Sequence, residues 1–188
     1  VRHGQASAGS DDYDRLSGRG VTQSRRLGDW LADTGHDFGT VIVGGMRRHR
    51  QTYDGIAAAY AERGLALPEP DTDAGLAEFD HHAVFDNFAS THADHPAVLG
   101  SRAGGITALG PLIHAALGAW AEDRIAGVPE TWAAFGQRVN AAALRLATLP
   151  AAGDVLVLSS GGVISRLAQQ ALGANDRVAI DLNLSLRN

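Results

Sequence analysis

Three short segments of this chain combine residue types that suit an anion. Val1-Arg2-His3-Gly4-Gln5 leaves an extended run with an arginine and a histidine side by side. Gly44-Gly45-Met46-Arg47-Arg48-His49-Arg50 follows an apolar run and opens a helical pattern. Ser159-Ser160-Gly161-Gly162 makes the same junction with small residues only. Guanidinium forks and the backbone N–H groups of a helix start both favour phosphate or carboxylate. A single junction of this kind is ordinary turn chemistry; three in one chain point to an anion site.

The elements that must position these segments follow from periodicity. Thr40-Val41-Ile42-Val43 and Asp154-Val155-Leu156-Val157-Leu158-Ser159 are short, β-branched and bounded by turn residues, and so are predicted as buried strands. Val178-Ala179-Ile180-Asp181-Leu182 is a weaker third candidate. Helices are predicted over Thr22–Thr34, Met46–Arg63, Pro129–Leu149 and Val163–Leu172, most of them closed by glycine or proline. On helical spacing Trp30, Trp132 and Phe135 are assigned to the core. Strands alternating with helices predict an α/β fold, a three-layer α/β/α sandwich around a mostly parallel sheet. In such sheets ligands bind outside the carboxyl ends of the strands, where all three anion-friendly segments fall. Residues 66–112 read as the least regular part, an insertion or lid over the site. Its Phe79, Phe85, Phe88, His92 and His95 could line a substrate pocket. Trp120, in an Ala/Gly-rich helical stretch, is a candidate homodimer face.

Composition narrows the classes. With 188 residues, one domain spanning 1–188 is expected. The formal net charge of −5 leaves no global basic footprint, which argues against nucleic acid as a partner. No apolar stretch of about 18 residues exists, so no membrane span is expected. Cysteine is absent, which removes thiolate chemistry, and a cytoplasmic location is compatible with that. All 16 basic residues are arginine, so no Schiff base and no P-loop lysine can operate. The start at Val1 without Met, and the end at Asn188 after an apolar run, suggest elements continuing beyond both ends.

Arg2-His3-Gly4, Arg48 within Arg48-His49-Arg50-Gln51-Thr52, Glu78 within Leu76-Ala77-Glu78-Phe79-Asp80, and Ser160-Gly161-Gly162-Val163-Ile164 occur in an order and spacing that resembles the histidine phosphatase superfamily, the phosphoglycerate mutase-like family. Tyr13-Asp14-Arg15-Leu16-Ser17, Gly20 and Gln23 resemble the segment after the nucleophile in its smaller phosphatases. The resemblance implies a phosphohistidine formed on His3, with Arg2 and Arg48 gripping the phosphoryl oxygens. It makes Glu78 the acid that protonates the leaving alcohol and then the base that activates water. Gln5, Ser160, Gly161 and His81 are the candidate substrate-binding residues. No metal and no other cofactor is implied, and the partner is a small phosphorylated substrate. One position departs from the pattern: Ser160 stands where the family carries a second histidine. A hydroxyl keeps a donor but not a cation, and losing a charge-assisted bond of about 1.5–3 kcal/mol implies a roughly ten- to hundredfold slowdown. His81 or His82 is a candidate substitute.

Other readings weigh less. A metal hydrolase would need His81, His82, His92 and His95 to converge with Asp80, Asp86 or Asp94, and no metal-binding motif groups them. Asp71-Thr72-Asp73 follows prolines instead of a strand and has no lysine to match it. A serine elbow would need glycine where Leu158 stands. A non-catalytic module that binds a phospholigand or a protein on the same scaffold stays open because of Ser160. The family's mutases carry a Trp-Asn pair after the nucleophile segment and a lysine-containing insertion; here Gln5-Ala6-Ser7-Ala8-Gly9 follows, which favours a phosphomonoesterase over a mutase-type phosphotransferase.

Overall fold

The computed structural model describes residues 1–7, 14–104, 109–150 and 153–186, and divides into two compact units. Tyr13, Ala8, Gly9, Gly105 and Asn188, singled out in the sequence, lie outside the described residues. The first unit comprises the described residues of 1–78 and 141–163; the second comprises those of 79–140 and 164–186.

The first unit is built on a parallel sheet of β1 (Phe38–Val43), β2 (Asp71–Thr72) and β3 (Asp154–Leu158) in the order β2-β1-β3. The first residues of the chain extend along β3. Arg2 bridges Ser159 in parallel, the Val1 amino group donates to the Val157 carbonyl at 2.7 Å, and His3 N donates to the Ser159 carbonyl at 3.0 Å. Alternation along β1 sends Val41 and Val43 to one face. There they form a core with Leu31 of α1 (Gly18–Asp33), with Tyr53, Ile56 and Tyr60 of α2 (Arg47–Ala61), and with Leu156 and Leu158. Ile42 faces the other way and lines a cavity with Leu146 at the end of α6 (Trp132–Ala147). The α/β class with a parallel sheet is therefore as the periodicity predicts.

Ser17 caps α1, its hydroxyl accepting from Gly20 N at 3.1 Å. The buried stripe of α1 runs through Gly20, Ser24, Gly28 and Leu31. Gly28 is required here, since a Cβ on it would stand 2.8 Å from the Ile56 backbone. This close approach of α1 to α2 uses small residues, so Trp30 falls off the stripe and is 56% exposed, not in the core.

The second unit is helical: α3 (His81–Thr91), α4 (Pro96–Ala103), α5 (Leu109–Ala121), the first half of α6, most of α7 (Gly161–Ala171), and α8 (Asp176–Ser185). Three sequence expectations change. The described residues of 66–112 hold two full helices: Asp80 and His95 cap α3 and α4 through their side chains, and Pro96 stands at the start of α4. The run around Val178–Leu182 is helical, because Ala179 and Ile180 are both buried, whereas a strand would point adjacent residues to opposite faces. Trp120 is no dimer face: it is 2% exposed, packed between Phe79 at 4.7 Å, Trp132 at 5.1 Å and Phe135 at 5.6 Å, with its indole N–H on the Glu130 carbonyl. Phe79 and Phe88 are core residues, and the Phe88 ring stacks on His92.

Deleting these two indoles separates the roles. Trp120→Ala is expected to cost about 3–5 kcal/mol of stability, the range for a buried aromatic, and Trp30→Ala less than about 1 kcal/mol. Urea denaturation of the two variants measures the difference, and equal losses would contradict this assignment of the core.

Candidate active site

All of the predicted anion-binding residues except His81 belong to the first unit and come from loops at the carboxyl ends of its strands. His3 follows the segment paired along β3, Arg48 lies in the first turn of α2 after β1, and Ser160 sits between β3 and α7. The joints are tight. Gly44 N donates to the Leu158 carbonyl at 3.0 Å, and Ser159 Oγ donates to the Leu76 carbonyl at 2.7 Å. A Cβ on Gly44 would lie 2.3 Å from the Leu76 oxygen and 2.7 Å from His49 Nδ1, so only glycine fits.

The side chain of Arg48 is buried and makes three contacts that organise the site. Its Nε donates to His3 Nε2 at 3.1 Å, Nη1 to Asp14 Oδ1 at 2.9 Å, and Nη2 to Ser160 Oγ at 3.3 Å. Asp14 also accepts from the backbone N–H of Arg47 at 2.9 Å, so one carboxylate both balances the guanidinium and satisfies the start of α2. Thr52 ties the Arg2–Gly4 segment to the same helix: its hydroxyl accepts from Gly4 N at 3.1 Å and donates to the Arg48 carbonyl at 2.7 Å.

His3 is 5% exposed and its Nδ1 lies 2.6 Å from the Gly4 carbonyl. A carbonyl only accepts, so Nδ1 carries the proton and Nε2 presents its lone pair toward Arg48. Burial lowers its pKa to about 4, against the pull of the Gly4 carbonyl and aided by the charges of Arg48 and Arg2. The ring is thus neutral at pH 7, with one nitrogen available. Glu78 is partly buried beside the start of α7, its Oε2 accepting from Gly162 N at 3.0 Å. Arg2 is partly buried and bridged to Ser159. Gln5 is committed elsewhere, its N–H on Gln23 and its oxygens facing the Ser17 hydroxyl. Ser160 and Gly161 are buried at the start of α7. His81, in the second unit, opens α3 with its ring against His82 and Phe85.

Two residues were not assigned from the sequence. Asp14 carried no role of its own there, although it is the acidic residue beside the Arg48 guanidinium. His49 is fully buried, with Nε2 2.7 Å from Ser160 Oγ and its ring 5.6 Å from that of His3. Burial, then the charges of His3 and Arg48, push its pKa down to about 3. Its place in the first helical turn after a strand was the signal in the sequence, and the Arg-rich run around it concealed that. Among the described residues no three His, Asp or Glu side chains gather as a metal site, so His81, His82, His92 and His95 do not converge with Asp80, Asp86 or Asp94. No helix among them is long and apolar enough to cross a membrane.

Residues 1–186 match the family model described as histidine phosphatase superfamily (branch 1). Solved structures with the same fold include an α-ribazole phosphatase from Shigella flexneri (22% identity, TM-score 0.59, 97% of this chain and 81% of that one). A phosphoglycerate mutase from Bacillus anthracis is similar at 18% identity and TM-score 0.58, over 90% of this chain and 76% of that one. A mycobacterial glucosyl-3-phosphoglycerate phosphatase is similar at 22% identity and TM-score 0.55, over 96% and 81%. At these identities the likeness establishes the fold. No protein of curated function matches the sequence.

The two neutral imidazoles make stability pH-dependent. Unfolded histidines take up protons near pH 6.5, whereas the folded rings do so only near 4 and 3. Between pH 6.5 and about 4 the unfolded chain binds more protons, so stability falls as pH falls. Urea midpoints measured from pH 7 to 4.5 are expected to drop more steeply for the wild type than for His49→Asn. Equal slopes would show that His49 is not held neutral by the fold.

Proposed function

Because the chain belongs to the histidine phosphatase superfamily, we propose that it is a phosphomonoester hydrolase working through a phosphohistidine on His3. The observation that carries this reading is the His3 ring itself, with Nδ1–H fixed on the Gly4 carbonyl and an unprotonated Nε2 facing a buried guanidinium. A nucleophile in this state needs no base to activate it at neutral pH.

In the first step His3 Nε2 forms a bond to phosphorus as the bond from phosphorus to the ester oxygen breaks. Arg48 and Arg2 stabilise the charge spread over the equatorial oxygens, and Arg48 gives up part of its contact with Nε2 as the phosphoryl group enters. Protonated Glu78 delivers its proton to the departing alkoxide, which leaves as an alcohol. In the second step Glu78, now a carboxylate, takes a proton from water as that water attacks phosphorus. The N–P bond breaks, inorganic phosphate forms, and Glu78 regains its proton. The substrate is a small phosphomonoester, and no metal enters either step. Asp14 on Arg48 is the counter-ion whose hold must relax when a phosphate dianion competes for the same guanidinium. Ser160 favours one further reading, a scaffold that binds phosphate without turnover, because a hydroxyl stands there without a cation of its own.

Turnover of an aryl phosphate, with trapping of labelled protein, tests the reading. The wild type is expected to form an acid-labile, base-stable label, and His3→Ala to lose both label and turnover by at least 10³-fold. Glu78→Gln is expected to slow a phosphate ester of a poor leaving group by about 10²–10⁴-fold, and an aryl ester less. Phosphate binding with neither label nor turnover would leave the binding scaffold standing. Activity surviving His3→Ala would overturn the mechanism. Protonation removes the nucleophile, so kcat/KM is expected to show no loss as pH falls from 7 until it drops near pH 4.

A further inference from the structure

We propose that His49 and Ser160 act as one unit, in which the His49 imidazole polarises the Ser160 hydroxyl as a hydrogen-bond donor to the phosphoryl group held at His3 and Arg48. The inference rests on the phosphatase reading for the identity of the bound group, but the pair itself is defined by geometry. Ser160 Oγ is 2.7 Å from His49 Nε2, and both side chains are entirely out of water. One guanidinium touches both the nucleophilic nitrogen, at 3.1 Å, and the Ser160 oxygen, at 3.3 Å. A phosphoryl oxygen drawn to Arg48 beside His3 Nε2 therefore arrives next to the Ser160 hydroxyl. That hydroxyl is weak alone; a buried ring at hydrogen-bond distance changes what it can do.

Charge supplies the reason for the coupling. Without ligand, burial is the first cause that holds the ring neutral, and the His3 ring on the N-terminal segment and the Arg48 guanidinium on its own helix add to it. Asp14 sits one step away on Arg48, and Glu78 lies at Gly162 N, two residues past Ser160. With His49 neutral, Ser160 O–H donates to Nε2 and Arg48 donates to the hydroxyl oxygen. A bound phosphate dianion reverses the balance. His49 takes one proton from solvent, Nε2–H donates to Ser160 Oγ, and the hydroxyl turns to donate to a phosphoryl oxygen. A serine can make this reversal because it both donates and accepts. The cation missing at position 160 then acts from position 49, one hydrogen bond away. His49 is a positioning residue in this scheme, since it touches Ser160 and not the substrate.

Two measurements test the pair. The first is titration calorimetry of inorganic phosphate into the intact protein, in buffers of different ionisation enthalpy. Binding to the wild type at pH 7.5 is expected to take up close to one proton per phosphate beyond the release of about a quarter of a proton from the monoanion present in solution. In His49→Asn, which keeps a polar partner for Ser160, the uptake is expected to vanish and the affinity to fall about tenfold. No uptake in the wild type, or the same uptake in His49→Asn, would overturn the proposal; failure of phosphate to bind at all would overturn the site as well.

The second is a mutant cycle on kcat/KM for an aryl phosphate. His49→Ala and Ser160→Ala are each expected to lose about 10- to 100-fold, and the double variant no more than the worse single one. Losses that multiply would show two independent residues and overturn the pair. Ser160→His combined with His49→Ala moves an imidazole into the vacated space and is expected to recover most of the His49→Ala loss, which a purely packing role for His49 would not produce. A missing phosphohistidine label refutes the phosphatase reading alone, because the calorimetry needs no covalent step.

Discussion

A guanidinium almost wholly removed from water is the constraint around which the first unit is arranged. The Arg48 side chain has nearly no exposed surface, and a buried charge is tolerated only when it is answered by hydrogen bonds and an opposite charge. Asp14 supplies the opposite charge from the partly exposed side, while two neutral acceptors, His3 Nε2 and Ser160 Oγ, complete the fork. The presence of this cation then dictates the state of its neighbours. An imidazole beside it is held neutral, and the Gly4 carbonyl decides which nitrogen of His3 keeps the proton. The neutral imidazole, the carboxylate and the hydroxyl all answer to one charge in one place.

The fold delivers that charge by backbone pairing. Residues 1–3 run parallel to β3, which brings His3 beside Ser159 and Ser160 although more than 150 residues separate them. β1, between β2 and β3, delivers Gly44 and then the first turn of α2. Small residues allow the approach. Gly28 lets α1 lie against the Ile56 backbone, and Gly44 leaves room for the Leu76 carbonyl and the His49 ring. Ser159, next to Ser160, fastens the 74–76 turn by its hydroxyl, which holds the backbone two residues before Glu78. Large side chains would fill these junctions and separate the groups that must meet.

The sequence disclosed what depends on local pattern. β1 and β3, with their β-branched runs, were legible, as were α2, α6 and α7 with their breakers. Arg2, His3, Arg48 and Ser160 were legible as a set through their order along the chain. What failed depends on long-range packing. Trp30 has helical spacing but lies off a stripe of small residues, and Trp120 sits in an Ala/Gly-rich stretch yet fills a core of aromatics from two other segments. The 178–182 run has β-branched content and helical burial. Residues 66–112 looked irregular because their helices begin at side-chain caps on Asp80 and His95, signals that are weak without the three-dimensional partner.

His49 was hidden for a further physical reason. Within Arg47-Arg48-His49-Arg50 every residue is polar, and in a first helical turn such residues usually face water. Here the turn rotates Arg48 and His49 inward while Arg50 pairs at the surface with Asp54 and Glu69. An uncharged ring beside a buried arginine costs far less than a second cation would, so the position tolerates histidine only in the neutral state that the resting site already enforces. The same burial that silences this ring makes it responsive. A dianion placed against Arg48 offsets the positive charge that adds to burial in holding the proton off, in a site with little water to screen the change. Serine at position 160 then connects the ring to the phosphoryl group, and the departure that first looked like a loss of chemistry becomes a change in where the charge is kept.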